Sequence, residues 1–132
     1  MTDKELLDKA KAAKEGAYAP YSRFRVGAAL VCKNGRVYTG ANVENASYSV
    51  TCCAERVALF KAVTDGEREF AAIAVTSDSV DHTYPCGVCR QALYEFSPDL
   101  EVLSSNTDLN YKKTTLDKLL PHAFSGKEME QE

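Results

Sequence analysis

The sequence predicts a single α/β domain, a three-layer α/β/α sandwich built on a mixed sheet of about five strands. Three observations predict this fold class. The chain has 132 residues, a length that suits one domain. Two early strand-like segments are joined by Lys33-Asn34-Gly35, and helix-like and strand-like segments then alternate along the rest of the chain. Such alternation after a hairpin indicates a sheet with helices on both faces.

The first helix and the hairpin come from the N-terminal third of the chain. Leucines and alanines recur at helical spacing over residues 4–17, and the Ala19-Pro20 step ends that pattern. Residues 25–32 and 36–43 are predicted to be strands. Asn34-Gly35 between them is typical of a tight hairpin turn, because both residues tolerate a positive φ.

The remaining elements are predicted from apolar runs between turn signals. Asp65-Gly66 ends the second helix, and Ser97-Pro98 ends the third. In chain order we predict a helix over 53–64, a strand over 70–76, a helix over 86–96, strands over 101–104 and 110–114, and a helix over 115–120. Residues 1–132 therefore form one predicted domain, with a polar tail over about 125–132.

Composition narrows the possible function classes. Hydrophobic residues make up 45% of the chain and charged residues 27%, as in ordinary globular proteins. The net charge is -3 and the basic residues are scattered, which argues against nucleic-acid binding. No apolar run approaches the roughly 20 residues that span a bilayer, and the charged N-terminus does not resemble a signal peptide. We therefore expect a cytoplasmic protein without a membrane partner, whose five cysteines favour metal binding over disulfides.

Four of the cysteines lie where two predicted helices begin. Cys86 and Cys89 open the third helix, and their i, i+3 spacing puts both thiols on one face. Cys52 or Cys53 opens the second helix in the same way. The backbone N–H groups and the dipole at a helix N-terminus stabilise thiolates, the form that binds metals. Two such helix starts at one point would supply three sulfurs, which leave a fourth position on zinc open for water, as in catalytic sites.

Two other interpretations of these cysteines stay open at this point. Cys86 and Cys89 could form a redox pair, although nothing around them resembles a thioredoxin. A closed structural zinc site could use both Cys52 and Cys53 as well, although adjacent side chains in a helix point about 100° apart and share one ion poorly. Cys32 lies in a predicted strand and is expected to be a small core residue.

Spacing alone does not decide between Cys52 and Cys53 as the third ligand. Cys52 shares a helix face with Glu55, whereas Cys53 shares one with Arg56. Three thiolates on Zn²⁺ leave a net negative charge, and a guanidinium close to a sulfur would offset it. This pairing favours Cys53 and gives Arg56 a charge-tuning role.

The assembled motifs resemble the zinc-dependent nucleoside and nucleobase deaminases. Cys53-Ala54-Glu55, followed by Pro85-Cys86-Gly87-Val88-Cys89, is similar to the signature of these enzymes in its three-cysteine branch. Three further segments are similar to the small homotetrameric cytidine deaminases: residues 18–30 (YAPYSRFRVGAAL), 42–48 (NVENASY) and 119–124 (LLPHAF). The resemblance covers roughly residues 5–125 and implies a cytidine deaminase-like version of the predicted sandwich.

The resemblance implies the metal ligands and the reaction. Cys53, Cys86 and Cys89 would hold one Zn²⁺ per chain, with Cys52 at a position where the family varies. The implied reaction is hydrolytic deamination of cytidine and 2′-deoxycytidine to uridine and 2′-deoxyuridine in pyrimidine salvage, by a hydrolase that acts on a cyclic amidine C–N bond. Glu55 would take a proton from a zinc-activated water, pass it to N3 of the ring and later protonate the leaving amino group.

The resemblance also implies which residues of the same chain bind the nucleoside. Asn42 and Glu44 would hold the ribose 3′-hydroxyl, because a paired donor and acceptor can demand a sugar hydroxyl. Phe24 would pack against the base, and the backbones of Ala54 and Cys86 would hold the base edge.

Other residues are implied to act between subunits. Ala46 and Tyr48 would reach the ribose in a neighbouring subunit, and Phe124 would contribute an aromatic ring across the interface. The implied assembly is a homotetramer with shared active sites. His82 and His122, the two histidines of the chain, are not expected to bind the metal.

Two competing functions can be distinguished from the leading one. A deaminase of another aminopyrimidine, such as a nucleoside antibiotic or cytosine in a polynucleotide, would use the same metal and Glu55. Asn42 with Glu44 favours a free nucleoside, and the acidic composition disfavours a nucleic-acid strand. A non-catalytic zinc-binding module would need the cysteines without needing Glu55, so this glutamate separates a module from an enzyme.

Overall fold

The computed structural model describes residues 1–129, so residues 130–132 of the predicted polar tail lie outside the described residues. Helices and strands follow one another in the predicted order. They are α1 (Asp3–Lys14), β1 (Val26–Cys32), β2 (Val37–Ala41), α2 (Ala54–Thr64), β3 (Phe70–Ser77), α3 (Gly87–Tyr94), β4 (Glu101–Ser105), β5 (Tyr111–Thr115) and α4 (Leu116–Leu119). Two short 3-10 helices lie at Tyr48–Val50 and Gly126–Met129.

The five strands form one mixed sheet in the order β2-β1-β3-β4-β5. β1 pairs antiparallel with both β2 and β3, and β5 pairs antiparallel with β4. β3 and β4 pair in parallel, and α3 lies in the crossover connection that parallel neighbours require. The prediction of a mixed, five-stranded sheet is confirmed by this topology.

Helices cover both faces of the sheet and enclose two separate cores. One core joins α1 to the sheet residues beneath it: Leu6, Leu7, Ala10, Ala29, Ala72, Ala74 and Leu103. The other joins α2, α3 and α4 to the opposite face, and its large buried members include Leu30, Leu59, Phe70, Ile73, Leu93 and Leu116. Alternate residues of a strand face opposite sides, so Ile73 and Ala74 belong to different cores. The three-layer sandwich is therefore confirmed.

None of the helices in residues 1–129 is both long enough and apolar enough to cross a bilayer. The longest of them, α1, has 12 residues.

α1 begins at a capping box and ends earlier than predicted. The Thr2 side chain accepts a hydrogen bond from the backbone N–H of Glu5, whose carboxylate accepts one from the backbone N–H of Thr2. The helix ends at Lys14 rather than at residue 17, because Tyr18 pairs with the segment that follows β2. Its N–H donates to the carbonyl of Asn42, and its carbonyl accepts from the N–H of Glu44.

α2 and α3 begin one residue later than predicted, because a cysteine forms each N-cap. Cys53 has extended backbone angles (φ -70°, ψ 154°), and so has Cys86 (φ -68°, ψ 169°). β2 ends at Ala41 rather than at residue 43, since Val43 leaves the sheet to pair with Cys52 in an isolated bridge. These boundaries place both cap residues at the same end of the α2/α3 layer.

Two glycines allow helices to approach the sheet closely. A Cβ on Gly27 would lie 2.0 Å from the carbonyl oxygen of Ala10 in α1, and a Cβ on Gly40 would lie 2.4 Å from that of Ala54 in α2. Both distances are far inside van der Waals contact, so a side chain at either position would push its helix away. Ala54 is the first residue of α2, and Gly40 therefore sets where the start of α2 lies.

Gly27→Ala should destabilise the fold, whereas Gly126→Ala should not. A methyl group at Gly27 has to displace the backbone of α1, which is expected to lower the free energy of unfolding by about 1–3 kcal/mol. A Cβ at Gly126 meets open space, so its replacement is expected to change stability by less than about 0.5 kcal/mol. Thermal unfolding followed by circular dichroism measures both. Equal midpoints for the two variants would contradict the close approach of α1 to β1.

Candidate metal centre and active site

Three thiols meet where α2 and α3 begin. Cys53 caps α2, Cys86 caps α3, and Cys89 lies in the first turn of α3. Their Sγ atoms all lie within 4.8 Å of one another, and those of Cys53 and Cys86 are 3.8 Å apart. In a tetrahedral zinc site with Zn–S bonds of about 2.3 Å, two sulfurs lie about 3.8 Å apart. The three side chains therefore fit a zinc ion with little rearrangement.

The electrostatic surroundings of this thiol cluster favour a thiolate at Cys53. Both cap cysteines lie at helix N-termini, where backbone N–H groups and the dipole favour negative charge. A hydrogen bond from the Cys89 thiol lowers the pKa of Cys53, and the Arg56 guanidinium lowers it further, with its Nη2 atom 3.5 Å from the Cys53 sulfur. The same hydrogen bond, together with burial, raises the pKa of Cys89. The two thiols thus share a proton that a metal ion would displace.

Cys52 lies next to the cluster without belonging to it. It pairs with Val43 through backbone hydrogen bonds in both directions, and burial raises the pKa of its thiol. Cys32 is buried in β1, where the sequence predicted a small core residue. The cluster is made of cysteines alone, so neither His82 nor His122 belongs to it.

Glu55 is a buried carboxyl beside the thiol cluster. It is the second residue of α2, and only 4% of its surface is exposed. Burial raises the pKa of Glu55 to about 7, because removal of water disfavours the ionised form. A group with this pKa can both accept and donate a proton at neutral pH.

Glu55 and two of the cysteines line a cavity of about 260 Å³. The other residues around it come from the segment before β1, the end of β2, the start of α2 and the segment before α3. The complete lining is Ser22, Phe24, Val26, Asn42, Glu44, Thr51, Cys53, Ala54, Glu55, Thr83, Tyr84 and Cys86. Phe24, Asn42, Glu44 and Ala54, which the resemblance implies for substrate binding, all lie around this cavity.

Asn42 and Glu44 also hold the segment that forms one wall of the cavity. The Asn42 amide accepts from the N–H of Val26 (2.9 Å) and donates to the carbonyl of Phe24 (2.8 Å). The Glu44 carboxylate accepts from the N–H groups of Tyr21 (2.9 Å) and Ser22 (3.1 Å) and from the Ser22 hydroxyl. The hydrogen bond from that hydroxyl is the main reason why the pKa of Glu44 is lowered. Glu44 therefore stays ionised at the edge of the cavity.

Ala46, Tyr48 and Phe124 do not line this cavity in the described part of the chain. All three are exposed. Tyr48 stands edge-on to Tyr21 beside a neighbouring hollow of about 350 Å³, and the backbone carbonyl of Phe124 accepts a hydrogen bond from the Gln91 side chain (2.9 Å). That hollow shares Ser22, Glu44 and Thr51 with the cavity, so Tyr48 lies at the margin of the cavity, whereas neither Ala46 nor Phe124 is among the described lining residues of the two.

Several cavity residues were not singled out from the sequence. Thr83 and Tyr84 directly precede Pro85-Cys86, so their closeness to the cysteine motif was the available signal. Ser22 lies within the YAPYSRF segment that carried the resemblance, and Thr51 precedes the two adjacent cysteines. None of these four residues has a side chain that binds a metal or shuttles a proton in the proposed chemistry, so no motif in the sequence marked them as site residues.

The comparisons with known proteins agree with this geometry. Residues 1–104 match the family model described as the cytidine and deoxycytidylate deaminase zinc-binding region. The cytidine deaminase of Halalkalibacterium halodurans is 49% identical over 130 residues, which cover 98% of both chains. The cytidine deaminase of Sporosarcina psychrophila is 47% identical over 130 residues, covering 98% of this chain and 96% of the relative.

A solved structure agrees as well. The crystal structure of cytidine deaminase from Burkholderia pseudomallei superposes with a TM-score of 0.91 at 52% sequence identity, covering 94% of this chain and all (100%) of that one. At this identity and coverage the similarity extends over the sequence as well as the fold.

Cys53→Ala and Cys52→Ala are expected to differ sharply in metal content. Loss of Cys53 removes one of three clustered sulfurs, so the purified variant should carry little zinc. Cys52→Ala changes the adjacent thiol outside the cluster and should keep about one zinc per chain. Elemental analysis of both proteins, with circular dichroism to check folding, measures the difference. A zinc-free Cys52→Ala beside a zinc-loaded Cys53→Ala would overturn this choice of ligand.

Proposed function

The chain belongs to the cytidine and deoxycytidylate deaminase family, and we propose that it hydrolyses cytidine and 2′-deoxycytidine to uridine and 2′-deoxyuridine with release of ammonia. One observation carries the proposal: a buried carboxyl and a cluster of three thiols meet at the same nucleoside-sized cavity. A cytoplasmic location and a role in pyrimidine salvage are part of the proposal, supported by the similarity to cytidine deaminases.

Cys53, Cys86 and Cys89 are the proposed ligands of one Zn²⁺ per chain. When bound, zinc acts as a Lewis acid that lowers the pKa of water from 15.7 to about 7 in catalytic sites. Three protein ligands suit that role, because structural zinc sites normally close with four. The closed four-cysteine site considered from the sequence is disfavoured, since Cys52 lies outside the thiol cluster.

Glu55 is the proposed proton carrier. Its carboxyl lies in the cavity beside Cys53 and Cys86, with a pKa of about 7 caused mainly by burial. In the proposed reaction it accepts a proton from water and delivers it to N3 of the pyrimidine. It then takes the second proton of that water from the oxygen now bound to C4 and gives it to the departing amino group, which leaves as ammonia. One group can make these transfers in turn because its protonated and ionised forms are both accessible at neutral pH.

Arg56 is proposed to tune the charge of the metal centre. Its guanidinium lies 3.5 Å from the Cys53 sulfur, and this contact is the main cause that raises the pKa of Arg56. Three thiolates and one divalent cation carry an excess of negative charge, and a neighbouring cation reduces it. Arg56 thereby supports the electron-withdrawing character of the bound metal.

The cavity suits a free nucleoside better than a nucleotide or a nucleic-acid strand. Its described lining contains two carboxylates, from Glu44 and Glu55, and no lysine or arginine. A phosphate group would therefore meet like charge. Phe24 is proposed to pack on the base, the Ala54 backbone to hold the base edge, and Asn42 with Glu44 to hold the ribose 3′-hydroxyl.

Self-association into a homotetramer is part of the proposal. Ala46, Tyr48 and Phe124 do not line the described cavity of their own chain, and all three are exposed. Exposed aromatic side chains are frequent anchors of protein interfaces. We propose that these three residues complete the site of a neighbouring copy.

Glu55→Gln should keep zinc and fold but lose about 10³–10⁴-fold in turnover of cytidine. The amide has nearly the same shape as the carboxyl but cannot carry the proton. Glu95→Gln, on an exposed residue at the C-terminal end of α3, is the matched control and should remain fully active.

The assay follows the absorbance of cytidine, deoxycytidine, cytosine and CMP, and zinc is determined on the same samples. Native protein is expected to act on the two nucleosides and not on CMP. A Glu55→Gln variant that releases ammonia at a near-native rate would show that the proton carrier is assigned wrongly.

Shared active sites can be tested by co-assembly of two weak variants. Phe124→Ala and Glu55→Gln should each be nearly inactive alone, but co-expressed chains should regain activity well above the mean of the two. Hybrid assemblies contain sites with Glu55 from one chain and Phe124 from another.

The control pair for this experiment is Glu55→Gln with Cys53→Ala. Both of these defects lie in the cavity of a single chain, so co-expression should rescue nothing. If the Phe124→Ala pair also shows no rescue while size-exclusion chromatography shows mixed assemblies, Phe124 does not act between chains.

A further inference from the structure

One wall of the cavity is a segment without regular structure. We define the wall segment as residues 21–26, of which Ser22, Phe24 and Val26 line the cavity. Only Val26 belongs to a strand, and Arg23 adopts a left-handed conformation (φ 59°) that is unfavourable for a long side chain. Such a segment keeps its shape only if contacts from other parts of the fold hold it.

Two of these contacts come from the cavity itself. Glu44 holds Tyr21 and Ser22, and Asn42 holds Phe24 and Val26. Arg25, in the middle of the wall, is held by neither. Its partner is Asp78, just past the end of β3, which does not line the cavity.

Asp78 holds both the backbone and the side chain of Arg25. Its carboxylate accepts from Arg25 Nε (3.0 Å), Nη2 (3.1 Å) and the backbone N–H (3.3 Å). The backbone N–H of Asp78 donates to the Arg25 carbonyl (3.2 Å), which extends the pairing of β1 with β3 by one residue. Arg25 also donates through Nη1 to Glu15 (3.1 Å). A bidentate contact between a guanidinium and a carboxylate fixes the orientation of the Arg25 side chain as well as its distance from Asp78.

Lys14 forms a second salt bridge with the Asp78 carboxylate. Its side chain is only 5% exposed, and Nζ lies 3.0 Å from Asp78 Oδ1 and 3.4 Å from the carbonyl of Ser77. Asp78 therefore cannot turn away from Arg25 without leaving a buried ammonium group unpaired, which is costly. The carboxylate is a fixed point to which the wall is attached.

Arg25 links this fixed point to the cavity because its neighbours face the other way. Consecutive side chains of extended backbone point to opposite sides. Phe24 and Val26 reach the cavity, whereas the Arg25 side chain reaches Asp78 and Glu15. We propose that the Arg25–Asp78 pair, backed by Lys14, is a positioning pair for substrate binding, which fixes Phe24 and Val26 from the far side of the wall. The inference rests on the function proposed above.

Arg25→Gln tests the proposal and leaves Asp78 in place, so the buried Lys14 keeps its carboxylate partner. The variant should raise the KM for cytidine about tenfold while kcat changes less than about twofold, because the catalytic groups on α2 and α3 keep their places. Lys113→Gln is a matched control. Lys113 also bridges two carboxylates, Asp3 (3.2 Å) and Glu101 (3.4 Å), and its side chain is 41% exposed against 39% for Arg25. This control should lower the unfolding midpoint to a similar extent and leave KM unchanged.

A second measurement needs no substrate. Hydrogen exchange of the free protein should become faster at the amides of residues 25 and 26 in Arg25→Gln. The N–H of residue 25 donates to Asp78 and that of Val26 donates to Asn42, so both hydrogen bonds depend on the position of the wall segment. Exchange at both amides should stay native in Lys113→Gln. Arg25→Lys keeps the charge but loses the bidentate contact, and should fall between native and Arg25→Gln in both measurements. If Arg25→Gln is recovered unfolded, Arg25→Lys alone decides.

The outcomes separate this inference from the proposed function. Arg25 variants with native KM and native exchange in residues 21–26 would overturn the positioning role. If native protein fails to deaminate cytidine while Arg25→Gln still loosens the wall amides, the proposed function is wrong and the anchoring of the wall stands. Native exchange together with a raised KM would also contradict the proposal, because the effect on substrate would then not pass through the wall.

Discussion

The site depends on one constraint: the N-termini of α2 and α3 must meet closely enough for their cap residues to share an ion. The cap residues are Cys53 and Cys86, and neither side chain makes the capping hydrogen bond that a serine or aspartate would supply. Loss of such a bond costs about 0.5–2 kcal/mol per helix. Two helices therefore lack a side-chain capping hydrogen bond, and the cysteines at these cap positions place two sulfurs close together. Local rules are commonly broken at functional sites, and here both violations occur at the same place.

The sheet makes this meeting possible. α2 packs on it through a row of fully buried alanines, Ala54, Ala58 and Ala62, opposite a glycine in β2. Small residues on both sides bring the helix close, and a Cβ on Gly40 would collide with the backbone where α2 begins. The order of the strands determines where α3 lies, because the parallel pairing of β3 with β4 requires a crossover connection, and that connection contains α3. Helix packing and strand order thus act together to bring the two caps to one point.

Features of this arrangement that depend on residues close together in the sequence could be predicted from it. Hydrophobic spacing and the Asn34-Gly35 turn predict the order of the elements, and the i, i+3 cysteines predict a metal-binding helix start. Spacing left Cys52 and Cys53 undecided, because the choice depends on how the chain enters α2, and the bridge between Val43 and Cys52 joins residues distant in sequence. The same limit applies to Asp78, which holds Arg25 across 53 positions and belongs to no motif. Pairings of this kind arise from the register of β1 with β3, and no local pattern encodes that register.

The cavity contains two kinds of acid that the fold keeps distinct. Three thiols and one carboxyl crowd around the starts of two helices, and four ionised groups at such distances would repel one another strongly. The thiols reduce this repulsion by sharing a proton, which raises the pKa of Cys89 while that of Cys53 falls. A divalent cation displaces thiol protons once, when it binds, so metal affinity should weaken as pH falls. Glu55 is different, because burial rather than proton sharing is the main cause of its pKa of about 7. In the proposed function Glu55 exchanges its proton in every turnover, whereas the thiols give up theirs once, when the metal binds.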